Sequence, residues 1–187
     1  MVLATLLGLG EPPEGTPLQH LAPASANGPY HLSDGRRRFR HRIMVSPAVG
    51  RLGGERLFAL RVGYNPNSWL GYEASVGHNP GTSVHALFHS VNAVLRYPVP
   101  GRIQPYVEAG YGMMLVYPGR LLRADPVTKN TLSAGGGVEL YVRDDVSLRL
   151  DGRWLTILGP GGNRDGTAVY NYGETTVGFN FYRTVGQ

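Results

Sequence analysis

From Phe39 onward, apolar residues alternate with small or polar ones, and turn residues interrupt the alternation at regular intervals. A period of two is the side-chain repeat of a β-strand, whose successive residues point to opposite faces. The pattern predicts eight strands, over 39–50, 56–65, 69–78, 84–97, 103–116, 130–142, 146–157 and 170–182. Each has about the ten residues that a tilted strand needs to cross a bilayer. No apolar run is long enough for a transmembrane helix, so any membrane crossing must use a closed barrel, which pairs all its backbone groups in lipid. The 27 glycines and 14 prolines suit many short strands joined by turns. Asn65-Pro66-Asn67-Ser68, Pro98-Val99-Pro100-Gly101 and Arg143-Asp144-Asp145 read as tight turns after the even-numbered strands. Longer links, Tyr117 to Lys129 and Leu158 to Val169, follow the fifth and seventh strands.

The two faces of these strands differ in chemistry. The second opposes Phe58, Leu60, Val62 and Tyr64 to Arg61 and Gly63; the third opposes Leu70, Tyr72, Ala74 and Val76 to Gly71, Glu73, Ser75 and Gly77. The seventh opposes Val146, Leu148, Leu150 and Trp154 to Ser147, Arg149, Asp151 and Arg153. A soluble barrel hides its apolar face inside, and a membrane barrel turns it outward. Periodicity does not choose between them, but three further features favour the membrane barrel. The polar face is mostly Gly, Ser and Thr, which suits a narrow lumen. Its charges balance: Arg42, Arg61, Arg96, Arg149 and Arg153 against Glu73, Glu108, Glu139, Asp151 and Glu174, as buried charges must. Aromatics gather at the ends expected in the periplasm: Phe39, Tyr64, Trp69, Tyr97, Tyr106, Tyr141, Phe181 and Tyr182, an arrangement like an interfacial girdle. Glu139 and Glu174 lie on the strands flanking the seventh, which makes Arg149 and Arg153 their expected partners.

Residues 1–37 read as an apolar, signal-like start, Met1 to Gly10, followed by a flexible leader rich in Pro and Gly, with the barrel over 38–187. The absence of Cys excludes disulfides, thiolate metal sites and Cys nucleophiles. The net charge of +5 includes the run Arg36-Arg37-Arg38-Phe39-Arg40-His41-Arg42, which leads into a strand and carries no nucleic-acid-binding motif. Gly135-Gly136-Gly137 is followed by neither Gly-Lys-Ser/Thr nor a helix, so it is lumen clearance and not a phosphate loop. Among the six histidines, His85 and His89 share a face, but no third ligand stands beside them. No cofactor, metal or nucleic-acid partner is expected.

Gln104-Pro105-Tyr106-Val107-Glu108-Ala109-Gly110-Tyr111-Gly112 resembles a strand of OmpA-like outer-membrane barrel domains. The segments Gly135 to Tyr141 and Asp144 to Trp154 resemble that family's next hairpin, and Thr176 to Phe181 resembles its C-terminal assembly signal, although six residues follow Phe181 here. The resemblance covers 39–182. It implies an all-β, eight-stranded, antiparallel up-and-down transmembrane barrel in a bacterial outer membrane, and it is nearly silent on activity. The wall-anchoring role of longer family members is not expected. The implied role is structural or interactive and non-enzymatic, with a lumen closed by ion pairs. Outer-membrane lipid and lipopolysaccharide are the expected partners, with other envelope proteins as candidates. Arg120, Arg123, Lys129 and Arg164 make the longer links mildly basic. The alternatives are a small channel, which needs an unpaired lumen charge or a wider barrel, and a lipid A deacylase, which needs His and Ser on one lipid-facing patch. His89 and Ser90 are adjacent and so point to opposite faces, with Glu108 on the Ser90 side.

Overall fold

The computed structural model describes residues 39–80, 84–118, 127–160 and 167–185; the leader over 1–37 lies outside them, as do Arg120, Arg123 and Arg164. The described residues form eight strands: β1 (Arg42–Leu52), β2 (Glu55–Asn65), β3 (Leu70–Pro80), β4 (Val84–Arg96), β5 (Ile103–Pro118), β6 (Val127–Arg143), β7 (Val146–Pro160) and β8 (Thr167–Thr184). Each pairs antiparallel with the next, and β1 pairs with β8, so the sheet closes into an up-and-down barrel. Closure leaves no edge strand, which satisfies the backbone without solvent.

Residues 42 and 184 lie together in the β1–β8 register and define the near end of the barrel. The even-numbered connections are there, over 66–69, 97–102 and 144–145. Asn67 Oδ1 accepts from the backbone N–H groups of Trp69 and Leu70 at 3.0 and 2.8 Å, which holds the β2–β3 turn. At the far end, Gly53 and Gly54 join β1 to β2 with φ of +57° and +92°. That two-residue turn matches the strand twist and needs positive φ at both positions.

The wall is uneven in height. Strands β1 to β4 have 11, 11, 11 and 13 residues, and β5 to β8 have 16, 17, 15 and 18. Pairings such as Val116 with Val127 and Gly159 with Ala168 carry the ladder into segments expected to be loops. The fifth and seventh links therefore shrink to 119–126 and 161–166. The first strand begins at Arg42 rather than Phe39, because His41 adopts a left-handed φ of 52° that interrupts the extended backbone.

Burial follows the alternation. Arg61 is 0% exposed, while its neighbours Leu60 and Val62 are each 51% exposed. A belt of Leu, Val and Phe side chains faces outward around the ring, and ten charged residues, among them Arg61, Arg149 and Glu139, face inward. This inversion excludes the soluble-barrel alternative, since exposed apolar surface of that extent marks contact with a partner or a membrane. The aromatic girdle needs correction. Tyr64, Trp69, Tyr97 and Phe181 are exposed at the near end, but Tyr106, Tyr141 and Tyr182 are buried in the lumen. They share the strand parity of Glu108, Glu139 and Asn180, and parity decides the face whatever the residue type.

Val177 lies in the outward belt between Leu150 of β7 and Val49 of β1. Val177→Arg is expected to lower unfolding free energy in lipid vesicles by about 2–4 kcal/mol, whereas Tyr97→Arg, beyond the near end of β4, should cost about 1 kcal/mol or less. Equal losses in urea titrations would contradict the placement of the belt.

Candidate functional site in the barrel lumen

The structure places all ten sequence-derived charges, from Arg42 on β1 to Glu174 on β8, in the interior. Seven of them interlock, and Arg96 and Glu139 form a separate pair. Arg149 of β7 is fully buried; its Nη1 lies 2.5 Å from Glu73 of β3, its Nη2 lies 3.1 Å from Glu108 of β5, and its Nε lies 2.8 Å from Asp151. In an eight-stranded ring β3 stands opposite β7, so the Arg149–Glu73 pair crosses the lumen. The guanidinium also sits over the Tyr106 ring, 4.6 Å from its centroid.

Arg61 of β2 joins the same cluster through Asp151 at 3.0 Å and donates to Thr176 Oγ1 at 2.7 Å. Arg153 pairs with Glu174 and lies 3.4 Å from Glu108. Nearer the termini, Arg96 contacts Glu139 at 3.1 Å and donates to Asn65 Oδ1 at 2.6 Å. Hydroxyl donors supplement the four arginines against five carboxylates. Tyr106 and Thr176 donate to Asp151, and Tyr141 donates to Glu139. Such donation satisfies lone pairs that water would otherwise have to reach. Gly71 makes room for this packing, since a Cβ there would lie 2.5 Å from Asn65 Oδ1 and 2.6 Å from Arg96 Nη1.

Two expected relations change. Arg153 does meet Glu174, directly across the β7–β8 register. Arg149 faces Glu139 in the β6–β7 register, yet it extends to Glu73, and Glu139 is bound by Arg96. A long guanidinium stem reaches the barrel axis, where three carboxylates converge, so the nearest backbone does not set the partner. Arg42 stands apart. Among the described residues it pairs with no carboxylate; it donates to the Asp144 carbonyl and lies 4.5 and 4.7 Å from the Phe39 and Tyr182 ring centroids. It caps the near end.

The residues of the deacylase alternative are separated. Ser90 lies inside, with its Oγ 2.7 Å from Ser75 Oγ and accepting from Asn92 at 3.1 Å. His89 lies outside, opposite Val76 and Met113 in the two registers. His78 and His85 stack with centroids 6.2 Å apart. No group of three or more metal-ligating side chains occurs among the described residues.

The sequence reading missed the far third of the lumen. There the inward positions are Leu52, Leu57, Phe88, Met114, Leu155 and Ile157, which form one buried apolar cluster. The signal was available: Leu57 shares the parity of Arg61, and Leu155 and Ile157 share that of Arg153. Following each lumen face to the strand end shows the change from charged to aliphatic.

This architecture agrees with solved bacterial outer-membrane barrels. The N-terminal β-barrel domain of Pseudomonas aeruginosa OprF superposes with a TM-score of 0.63 at 15% identity, covering 79% of this chain and 100% of that one. Neisserial surface protein A gives 0.56 at 16% identity, covering 78% and 98%. Pseudomonas aeruginosa OprG gives 0.53 at 10% identity, covering 82% and 100%. No protein-family model and no curated protein sequence matches the chain. The chain has the fold of the small outer-membrane β-barrels.

The Arg96–Glu139 pair lies apart from the Arg149 cluster, so it separates pairing from packing. Arg96→Met alone is expected to destabilise by about 3–5 kcal/mol, because it leaves a buried carboxylate uncompensated. The double variant Arg96→Met/Glu139→Gln should recover most of that loss. Guanidinium titrations of refolded protein would show it, and additive losses would refute the paired-charge account.

Proposed function

We propose that this chain is a non-enzymatic outer-membrane barrel with a structural or interaction role, held rigid by a lumen closed with ion pairs. One observation carries the reading: the Arg149 guanidinium joins carboxylates on β3, β5 and β7. Eight strands enclose a space that side chains can just fill. A chain of buried pairs at its axis favours a plug over a water path, since an unpaired charge there costs several kcal/mol. Outer-membrane lipid and lipopolysaccharide are the proposed surroundings of the outward belt, and other envelope proteins are candidate partners for the raised β5–β8 wall.

Purified protein in planar bilayers should give no steady conductance. Reproducible single-channel steps from the wild type would favour the small-channel reading instead. The separation of Ser90 from His89 argues against the deacylase reading. Ser90→Ala should therefore leave lipid A acyl-chain number unchanged by mass spectrometry, and an altered number would restore that alternative.

A further inference from the structure

The apolar cluster of the far lumen does not fill the space above it. It floors a cavity of about 490 Å³, bounded by Ala86, Val116 and Val127 and rimmed by Lys129, Tyr170 and Tyr172. The far mouth of a membrane barrel faces water, not hydrocarbon. Aliphatic walls left wet there cost about 25 cal/mol for each Å². The size falls in the range of about 300–1,000 Å³ typical of small-molecule sites, which are likewise apolar with a few placed polar groups.

The polar groups indicate which molecule fits. Lys129, the only lysine of the chain, stands on the lumen parity of β6, half-buried. Its stem lies along Gly159, where a Cβ would come within 3.3 Å of Lys129 Cε. Its ammonium sits 5.0 Å from the centroid of the Tyr170 ring, and among the described residues no carboxylate pairs with it. Glu55, also at the rim, belongs to β2 on the opposite side of the ring and is exposed. A half-buried cation acts through a lower dielectric than an exposed anion, so of the two described charges lining the cavity Lys129 weighs more than Glu55. Tyr172 narrows the opening from above the β1–β2 turn: a Cβ at Gly53 would lie 2.9 Å from Tyr172 Cδ1. The cavity volume suits one acyl chain rather than several.

We infer that this cup binds a single-chain amphiphile with an anionic head, its acyl chain on the Leu52–Met114–Ile157 floor and its head at Lys129. Phe88 seals the floor by lying across Gly77, where a Cβ would be 2.1 Å from the ring. Below it, Ser75, Ser90 and Asn92 are hydrogen-bonded to one another. The ligand would be held at the surface, not passed through.

The methionines provide the test. Met114 is on the cup floor, Met44 is buried in the lower lumen, and Met113 faces lipid at 38% exposure. Protein carrying ¹³C-methyl methionine is placed in lipid nanodiscs and titrated with dodecanoate. The Met114 resonance should shift and saturate, Met44 should stay fixed, and Met113 should show only the non-saturating drift of a probe entering the bilayer. Lys129→Gln should weaken dodecanoate about tenfold, the value of one charge-assisted contact, and leave dodecanol unaffected. Ala86→Trp should fill the cup and abolish the Met114 response; heat-modifiable migration and the Met44 resonance verify that each variant is folded. An unmoved Met114 beside a moving Met113 would overturn the site. Equal binding of dodecyltrimethylammonium to the wild type would overturn the anionic head. Both readouts are independent of conductance, so a failure here is distinguishable from a failure of the closed-lumen reading.

Discussion

A charge at the centre of a membrane protein persists only if something replaces its water. In this barrel the replacement is mutual: Arg149 takes Glu73 from the far wall, Glu108 from β5 and Asp151 from its own strand, while the Tyr106 ring lies beneath it. Bringing such a set inside gains little over an apolar core, but removing one member is expensive. The cluster therefore acts mainly as a specificity device. A slip of one residue in any strand would turn its charges toward lipid and its aliphatic side chains into the lumen. Closure of the ring and identity of the lumen residues thus enforce each other.

The lumen is layered along its axis. Arg42 with Phe39 and Tyr182 occupies the near end, the ion-paired cluster the middle, and the Leu, Met, Ile and Phe cluster the far third. Charged middle layers need partners across the ring, which only a narrow barrel supplies. The apolar layer needs none and can end in an open cup. The taller β5–β8 wall carries Lys129, Tyr170 and Tyr172 above the short β1–β2 hairpin. The proposed functions separate accordingly, with rigidity below and recognition above.

Much of this is legible in the sequence. The eight strands were visible because one face had to tolerate lipid and the other a crowded interior, and only a repeat of two satisfies both. The ends were less legible. Nothing local in Val127-Thr128-Lys129 or Thr167-Ala168-Val169 marks a strand; those residues are extended because β5 and β7 offer them partners. Residue type also misled where it was weighed above parity. Tyr106, Tyr141 and Tyr182 suit a membrane interface by composition, yet each shares a face with lumen residues and turns its hydroxyl to an inward polar network.

The sequence by itself determined the strand count, the inward or outward sense of almost every side chain, and the set of charges that had to be buried together. These follow from alternation, which is a property of neighbouring residues. Only the tertiary structure decided which charges meet. Arg149 and Glu139 face each other in the register, but a guanidinium stem spans farther than a strand spacing, and its carboxylate partners came from β3, β5 and β7 itself. The cup was decided in the same way. Its floor draws on β1, β2, β4, β5 and β7, and residues so far apart in sequence become one surface only when the sheet closes.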